Sequence, residues 1–290
     1  IFIKKAIELQ FSSKKILCAA LILCGLLFAA ALILMWSAPR AVPVLNYHQV
    51  EVKDGNPLTL HPEQFEAQMA YLKEEGYTTV TIDELMDACE NGAALPEKPV
   101  VITFDDGYED NYEYAYPILQ KYGFKATIFL IYDLTDAYPG YLTWNEIAEM
   151  KASGLMRFES HTMTHANLSK LTAEADLRHE IADSQRLLSE KLGYDVRYIA
   201  YPGGAVNEQI ESITRAAGYR GGFTVHYGLS TPAKGAYQMD RIPIFGANMH
   251  TMERFKMRLK YAPLIAPFED FRLWLRAKGF TELAMLLPIP

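Results

Sequence analysis

Cysteine is scarce in this chain. Its 290 residues include three: Cys18 and Cys24 inside a long apolar run, and Cys89 as the single one beyond it. The part after that run therefore has no internal disulfide and must rely on its hydrophobic core. A catalytic thiol is a poor reading of Cys89, which lies in the helix-like stretch Asp83–Asn91, away from the ends of the strand-like runs. Positive charge is also short, with 28 Lys and Arg against 35 Asp and Glu and a net charge of −7. With no basic stripe interleaved with aromatics, that balance excludes nucleic acid as a partner. A phosphate-cradling loop is missing as well, because Pro202-Gly203-Gly204 lacks the lysine and following Ser/Thr. Repeats, charge blocks and low-complexity segments are absent.

What is present begins with an uninterrupted apolar run, Ile16 to Trp36, preceded by Lys4, Lys5, Lys14 and Lys15. It is long enough to cross a bilayer as a helix, and the flanking lysines place residues 1–15 in the cytoplasm and everything after 36 outside. A cleaved signal peptide is the rival reading, with Ser37-Ala38-Pro39 as a weak cleavage site. The expected organisation is a cytoplasmic N-terminus (1–15), a transmembrane anchor (16–36), a short linker (37–41), a catalytic domain (42–262) and a helical tail (263–290). The catalytic domain would then be secreted or held at the outer face of a membrane.

Within 42–262 strand-like and helix-like patterns alternate. Apolar runs at 42–47, 78–81, 99–104, 126–131, 155–160, 197–200, 222–225 and 240–245 read as strands. Between them lie helical patterns, the longest at 172–192. Thr81-Ile82-Asp83-Glu84 and Thr143-Trp144-Asn145-Glu146 are capping boxes that start two of them. Such alternation predicts an α/β fold with a parallel sheet, closed as a TIM-like barrel of about seven strands. The tail reads as one or two amphipathic helices that pack on the barrel or lie on a membrane surface.

Two motifs carry the chemistry. The first, Thr103-Phe104-Asp105-Asp106-Gly107, puts adjacent carboxylates at the end of a buried strand, with a glycine to turn the chain. In α/β folds that end of a strand is where ligands bind. Paired carboxylates repel, and a metal ion between them relieves the repulsion. The second, His161-Thr162-Met163-Thr164-His165, follows another strand. On one helical turn a four-residue spacing sets both imidazoles on one face, within reach of one ion. Two histidines and a carboxylate leave open positions, as catalytic sites do, and suit zinc first, with cobalt, nickel or manganese as alternatives.

Together these motifs resemble the polysaccharide deacetylase family, carbohydrate esterase family 4 with its NodB-homology domain, over roughly residues 42 to 260. The resemblance implies a distorted (β/α)7 barrel and metal-dependent removal of N-acetyl groups from an acetylated amino-sugar polymer. It makes Asp105 the general base and Asp106, His161 and His165 the metal ligands. A third family motif is only partly matched by Ala200-Tyr201-Pro202-Gly203-Gly204. Ala200 stands where many relatives have an arginine that orients the base. The Ala-Tyr-Pro form is similar to the poly-N-acetylglucosamine deacetylase branch, which implies the Tyr201 backbone N–H, beside Pro202, as oxyanion donor. A late Leu-x-His motif that supplies the general acid in relatives is missing after residue 220. The same branch implies His48, at the end of the first strand, in that role, since the first and last strands of a closed barrel are neighbours. His226 is the alternative acid, and Asp240 a candidate to orient it. An O-acetyl esterase and a non-catalytic glycan-binding module are the competing functions.

Overall fold

Seven short runs, buried on both faces, can satisfy their backbone N–H and C=O groups only against one another. In the computed structural model, which describes residues 41–53, 56–231, 235–246 and 251–287, they form β1 (Val44–Tyr47), β2 (Pro99–Phe104), β3 (Ala126–Leu130), β4 (Met156–Ser160), β5 (Tyr198–Ala200), β6 (Gly221–Tyr227) and β7 (Met239–Pro243). All pair in parallel in the order β1-β7-β6-β5-β4-β3-β2, and β2 returns to β1 to close the ring. The closing registers are Leu45 opposite Ile242 and Tyr47 opposite Phe104. The expected strand at 78–81 shrinks to Thr78–Thr79, which pairs with the start of β2 outside the ring.

The described helices are α1 (Pro62–Glu74), α2 (Ile82–Asn91), α3 (Tyr116–Tyr122), α4 (Trp144–Ala152), α5 (Glu174–Arg178), α6 (Ser184–Leu192), α7 (Glu208–Ala216), α8 (Met252–Lys260), α9 (Ala262–Ala277) and α10 (Thr281–Met285). Both capping boxes form, at Thr81 and Thr143. The long helix expected over 172–192 is interrupted by a π turn, His179–Asp183, between α5 and α6. No helix among the described residues is long and apolar enough to cross a membrane; the anchor expected at 16–36 lies outside the described residues.

Strand alternation splits the core into two layers. Val44, Val101, Phe129, Ala200 and Phe223 fill the barrel, in one cluster with Ile82, Leu85 and Met86 of α2. Leu45, Tyr47, Ile102, Phe104 and Ile128 face the outer helices. Helix α2 closes the N-terminal end of the ring. Its Asp83 binds Arg197 and the Tyr198 hydroxyl at the start of β5, while Asp87 and Glu90 hold Arg220 just ahead of β6. That leaves the C-terminal ends of the strands open to solvent. Beneath that open end Tyr47, Phe65 and Phe104 pack with ring centroids 5.2–5.7 Å apart, and the Tyr47 hydroxyl donates to Gln68 at 2.7 Å. Each such fully buried ring contributes about 1.5–3 kcal/mol. The cluster also fixes the positions from which the next residues, His48 and Asp105, leave their strands.

The tail packs less than its sequence suggests. Ala262, Arg272, Leu275 and Ala284 are buried, but Phe268, Phe271 and Trp274 of α9 stay at least half exposed.

Candidate active site and metal centre

Asp105 and Asp106 follow β2, His161 follows β4 and His48 follows β1, so all four converge on the open end of the barrel. Asp106 Oδ1 lies 3.3 Å from His161 Nε2 and 3.5 Å from His165 Nε2. The ligand atoms of these three residues all fall within 4.8 Å of one another. The two imidazoles do not meet through a helical turn, as their spacing suggested. Residues 161–165 are a loop in which Thr162 and His165 adopt left-handed backbone (φ 71° and 66°), as does Asp106 (φ 74°). Among the described non-glycine residues only Asp136 shares that conformation. Each such residue costs about 1–3 kcal/mol, and strain of this kind persists where surrounding contacts enforce a functional geometry.

The donor set fits a divalent cation. His161 Nδ1 lies 2.7 Å from the Ala200 carbonyl. A carbonyl can only accept, so Nδ1 carries the proton and Nε2 presents its lone pair to Asp106, the tautomer a metal ligand needs. Asp106 Oδ1 is buried and accepts no hydrogen bond. Lone pairs facing one another at this distance call for a positive charge between them. Without an ion a proton serves: burial pushes the His161 pKa down, but Asp105 and Asp106 outweigh it and the net shift is upward.

Asp105, the expected base, is held by residues that sequence reasoning missed. Arg241 of β7, fully buried inside the barrel, donates to both oxygens of Asp105 at 2.7 Å. Its Nε donates to the Thr224 carbonyl at 2.8 Å, and Asn46 donates to Asp105 Oδ2 at 2.8 Å. Burial raises the Asp105 pKa, yet Arg241 first and then His161 hold the carboxyl well below the usual carboxylate range. Where Ala200 lacks an arginine, β7 supplies one through space, and Ala200 contributes its carbonyl to His161. The available signal was a pair of charges, Asp240-Arg241, in an otherwise apolar strand, since such residues are seldom fully buried unpaired.

His48 Nε2 stands 4.0 Å from Asp105 Oδ2, and its Nδ1 is buried without a hydrogen-bond partner. Burial lowers its pKa, and Asp105 and Asp106 only partly offset that, so the imidazole is neutral near pH 7. Asn111 anchors the His48 carbonyl at 2.9 Å. His226 is exposed near the end of β6 and touches none of these groups in any described hydrogen bond or ion pair. Asp240 turns away from Arg241 and lies against Gly228, where an added Cβ would sit 2.4 Å from its carboxylate. One expectation is corrected. The Tyr201 N–H, assigned to the oxyanion, donates to the Phe223 carbonyl at 3.0 Å as part of the ladder, because the chain is still extended there. Pro202 follows as the start of a tight turn over 202–204. Nearby, Tyr132 and Trp144 pack on the core, while Tyr141 stacks on Tyr108, two residues from Asp106, at 5.1 Å.

The sequence profile of the family described as Polysaccharide deacetylase matches residues 92–222. YxkH of Bacillus subtilis (strain 168), provisionally named a polysaccharide deacetylase, is 36% identical over 223 residues, 74% of this chain and 78% of its own length. The poly-beta-1,6-N-acetyl-D-glucosamine N-deacetylase of Staphylococcus aureus (strain MRSA252) is 31% identical over 225 residues, 69% of this chain and 77% of its own length. Among solved structures, the Streptococcus pyogenes deacetylase PplD in complex with acetate superposes with a TM-score of 0.71 at 32% identity, covering 77% of this chain and 99% of PplD.

Proposed function

The chain belongs to the polysaccharide deacetylase family, and from that premise we propose that it hydrolyses the N-acetyl groups of N-acetylglucosamine units in a cell-surface polymer, releasing acetate. The polymer is poly-N-acetylglucosamine or peptidoglycan, the first favoured by the Staphylococcus aureus relative. The observation that carries this reading is the conjunction of an Arg241-bound carboxylate, Asp105, with the Asp106–His161–His165 cluster at one barrel mouth. The proposed setting is the outer face of a membrane, with 16–36 as the anchor.

Asp106, His161 and His165 would hold one divalent ion, zinc first among candidates. When bound, it polarises the acetamide carbonyl and acidifies water. Asp105, kept ionised by Arg241, takes a proton from the attacking water as its oxygen bonds to the carbonyl carbon. An amide nitrogen leaves only when protonated. His48 is the group placed to protonate it, and being neutral at rest it must first be loaded. Asp105 stands 4.0 Å away and hands on the proton it gained once the pair closes to hydrogen-bond distance in the substrate complex. The C–N bond then breaks, giving acetate and a free amine. Tyr108 and Tyr141 offer apolar ring faces to the sugar beside the bond.

The deciding experiment strips the full chain of metal and follows acetate release from acetylated glucosamine oligomers, with and without zinc, cobalt, nickel or manganese. Release restored by metal and absent in Asp105→Asn supports the reading. Metal binding without release from any oligomer would move the assignment to an O-acetyl esterase or a glycan-binding module. His48→Ala tests the acid separately: kcat/KM on the amide should fall by about 10²–10⁴, while an acetyl ester, whose leaving group needs little protonation, keeps most of its rate. An equal loss on both substrates would remove His48 from that role.

A further inference from the structure

His161 and His165 are presented by a loop whose backbone is left-handed at Thr162 and His165, so something outside the loop must hold it. The carbonyl side is tied to the segment after β3: Tyr132 N–H donates to Thr162 C=O at 3.2 Å and Asp133 N–H to Met163 C=O at 3.0 Å. The N–H side depends largely on one residue. Buried Glu180 takes Met163 N–H at 3.2 Å and Thr164 N–H at 3.0 Å on Oε2, and the Thr164 hydroxyl at 2.6 Å on Oε1. Its carbonyl accepts from Met163 N–H as well, at 3.1 Å. Of the other three N–H groups, His161 donates to the Leu130 carbonyl of β3 at 2.7 Å, while Thr162 and His165 are satisfied locally, by Ser160 Oγ and Thr162 Oγ1, each at 3.1 Å.

Glu180 can do this because it sits in the π turn His179–Asp183. A π turn frees a carbonyl from the usual i+4 ladder and widens the helix locally, and such turns recur at functional sites. Here the freed Glu180 carbonyl and its carboxylate both face the loop. The next turn adds a second tie, Ser184 Oγ to Ser160 Oγ at 3.1 Å. The glutamate is seventeen residues from Met163 in sequence and makes no direct contact with the ligand cluster.

We infer that Glu180 is the positioning residue of the metal centre: by fixing the strained loop 162–164 it holds the His161 and His165 imidazoles on one point, and metal affinity depends on it. This rests on the reading of Asp106, His161 and His165 as ligands of a divalent ion. The structural reason is that a carboxylate accepting three bonds cannot be replaced by water without letting the loop relax to right-handed backbone, which swings His165, the more exposed of the two histidines, away from Asp106.

The test measures zinc affinity by competition with a chromophoric chelator, the visible spectrum of the cobalt form, and the melting temperature of the metal-free protein, for the full chain and for Glu180→Ala, Glu180→Gln and Thr164→Val. Outer-sphere partners of metal ligands are typically worth about 10- to 100-fold in affinity, and Glu180→Ala should lose that much and weaken the cobalt spectrum. Glutamine keeps an oxygen for the two N–H groups and can donate to the Thr164 hydroxyl, so Glu180→Gln should recover most of the loss. Should Glu180→Ala fail to fold, Thr164→Val, which removes the hydroxyl bond alone, is expected to weaken zinc binding severalfold. A drop in melting temperature with zinc affinity unchanged would show a purely structural role and overturn the inference. A wild-type chain that binds no zinc would instead overturn the ligand assignment itself.

Discussion

Arg241→Met should lower kcat/KM near pH 7 by about 10²–10⁴, the usual worth of a general base. The guanidinium is fully buried and spends its donors on both Asp105 oxygens, the Thr103 hydroxyl and the Thr224 carbonyl. Without it Asp105 is a buried carboxylate whose dominant environment is burial, which raises its pKa. Removing one partner of such a pair destabilises by about 3–5 kcal/mol while the other stays charged. The sign with pH follows. In the wild type the folded-state pKa of Asp105 is depressed, so its contribution is present above the unfolded value of about 3.9 and is lost only as pH falls through the folded value. In the variant the folded pKa is raised, so folding is penalised as pH rises from about 4 through that new value. The stability gap between the two proteins should therefore be widest at neutral pH and close below about pH 4, and the acid limb of the rate profile should move upward. Denaturant melts at several pH values check this. A gap that stays constant across that range would mean Arg241 acts through packing and not through the charge of Asp105. Arg241→Lys should rescue little, because an ammonium cannot make the two parallel bonds to one carboxylate.

Asp106→Asn should abolish turnover for a different reason while leaving the fold nearly untouched. Loss of an outer-sphere partner costs about 10- to 100-fold in metal affinity, so loss of a ligand should exceed the upper figure. Activity should fall by at least about 10³, since the ion's charge stabilisation is worth several kcal/mol. Asparagine tolerates the left-handed backbone that position 106 requires (φ 74°), so the metal-free variant should melt close to wild type. Alanine at the same position should be less stable than asparagine by about 1 kcal/mol, the strain of a Cβ in that region. Zinc titration and thermal melts of the metal-free proteins separate the two effects. Zinc affinity retained in Asp106→Asn would remove Asp106 from the ligand set.

Both predictions bear on how much could be read before folding was considered. The convergence of Asp105, Asp106, His161 and His165 was legible because each pair sits in one short segment that follows a buried apolar run, and a strand end projects neighbouring residues into the same mouth. The placement of His48 at the same mouth was legible for a topological reason, since a closed ring makes the first and last strands neighbours, as the pairing of Leu45 with Ile242 shows. The helical turn assumed for the two histidines did not form. The loop is held from outside by Glu180 and by Tyr132 and Asp133, none of which the spacing could disclose. The Tyr201 N–H was misassigned because nothing local shows that the strand ladder extends one residue past Ala200.

The sequence by itself determined the strands, the side chains that meet at the mouth and the family, because each depends on contacts between residues close in the chain or on an apolar pattern that demands burial. Only the tertiary structure decided what tunes those side chains. Arg241 reaches Asp105 across 136 residues because the last barrel strand closes on the first, and a charge that acts through space leaves no mark beside the residue it controls. Arg241 in β7 reaches the carboxylate that an arginine at position 200 was expected to orient, and such an electrostatic need constrains a position in the barrel and not a position in the chain.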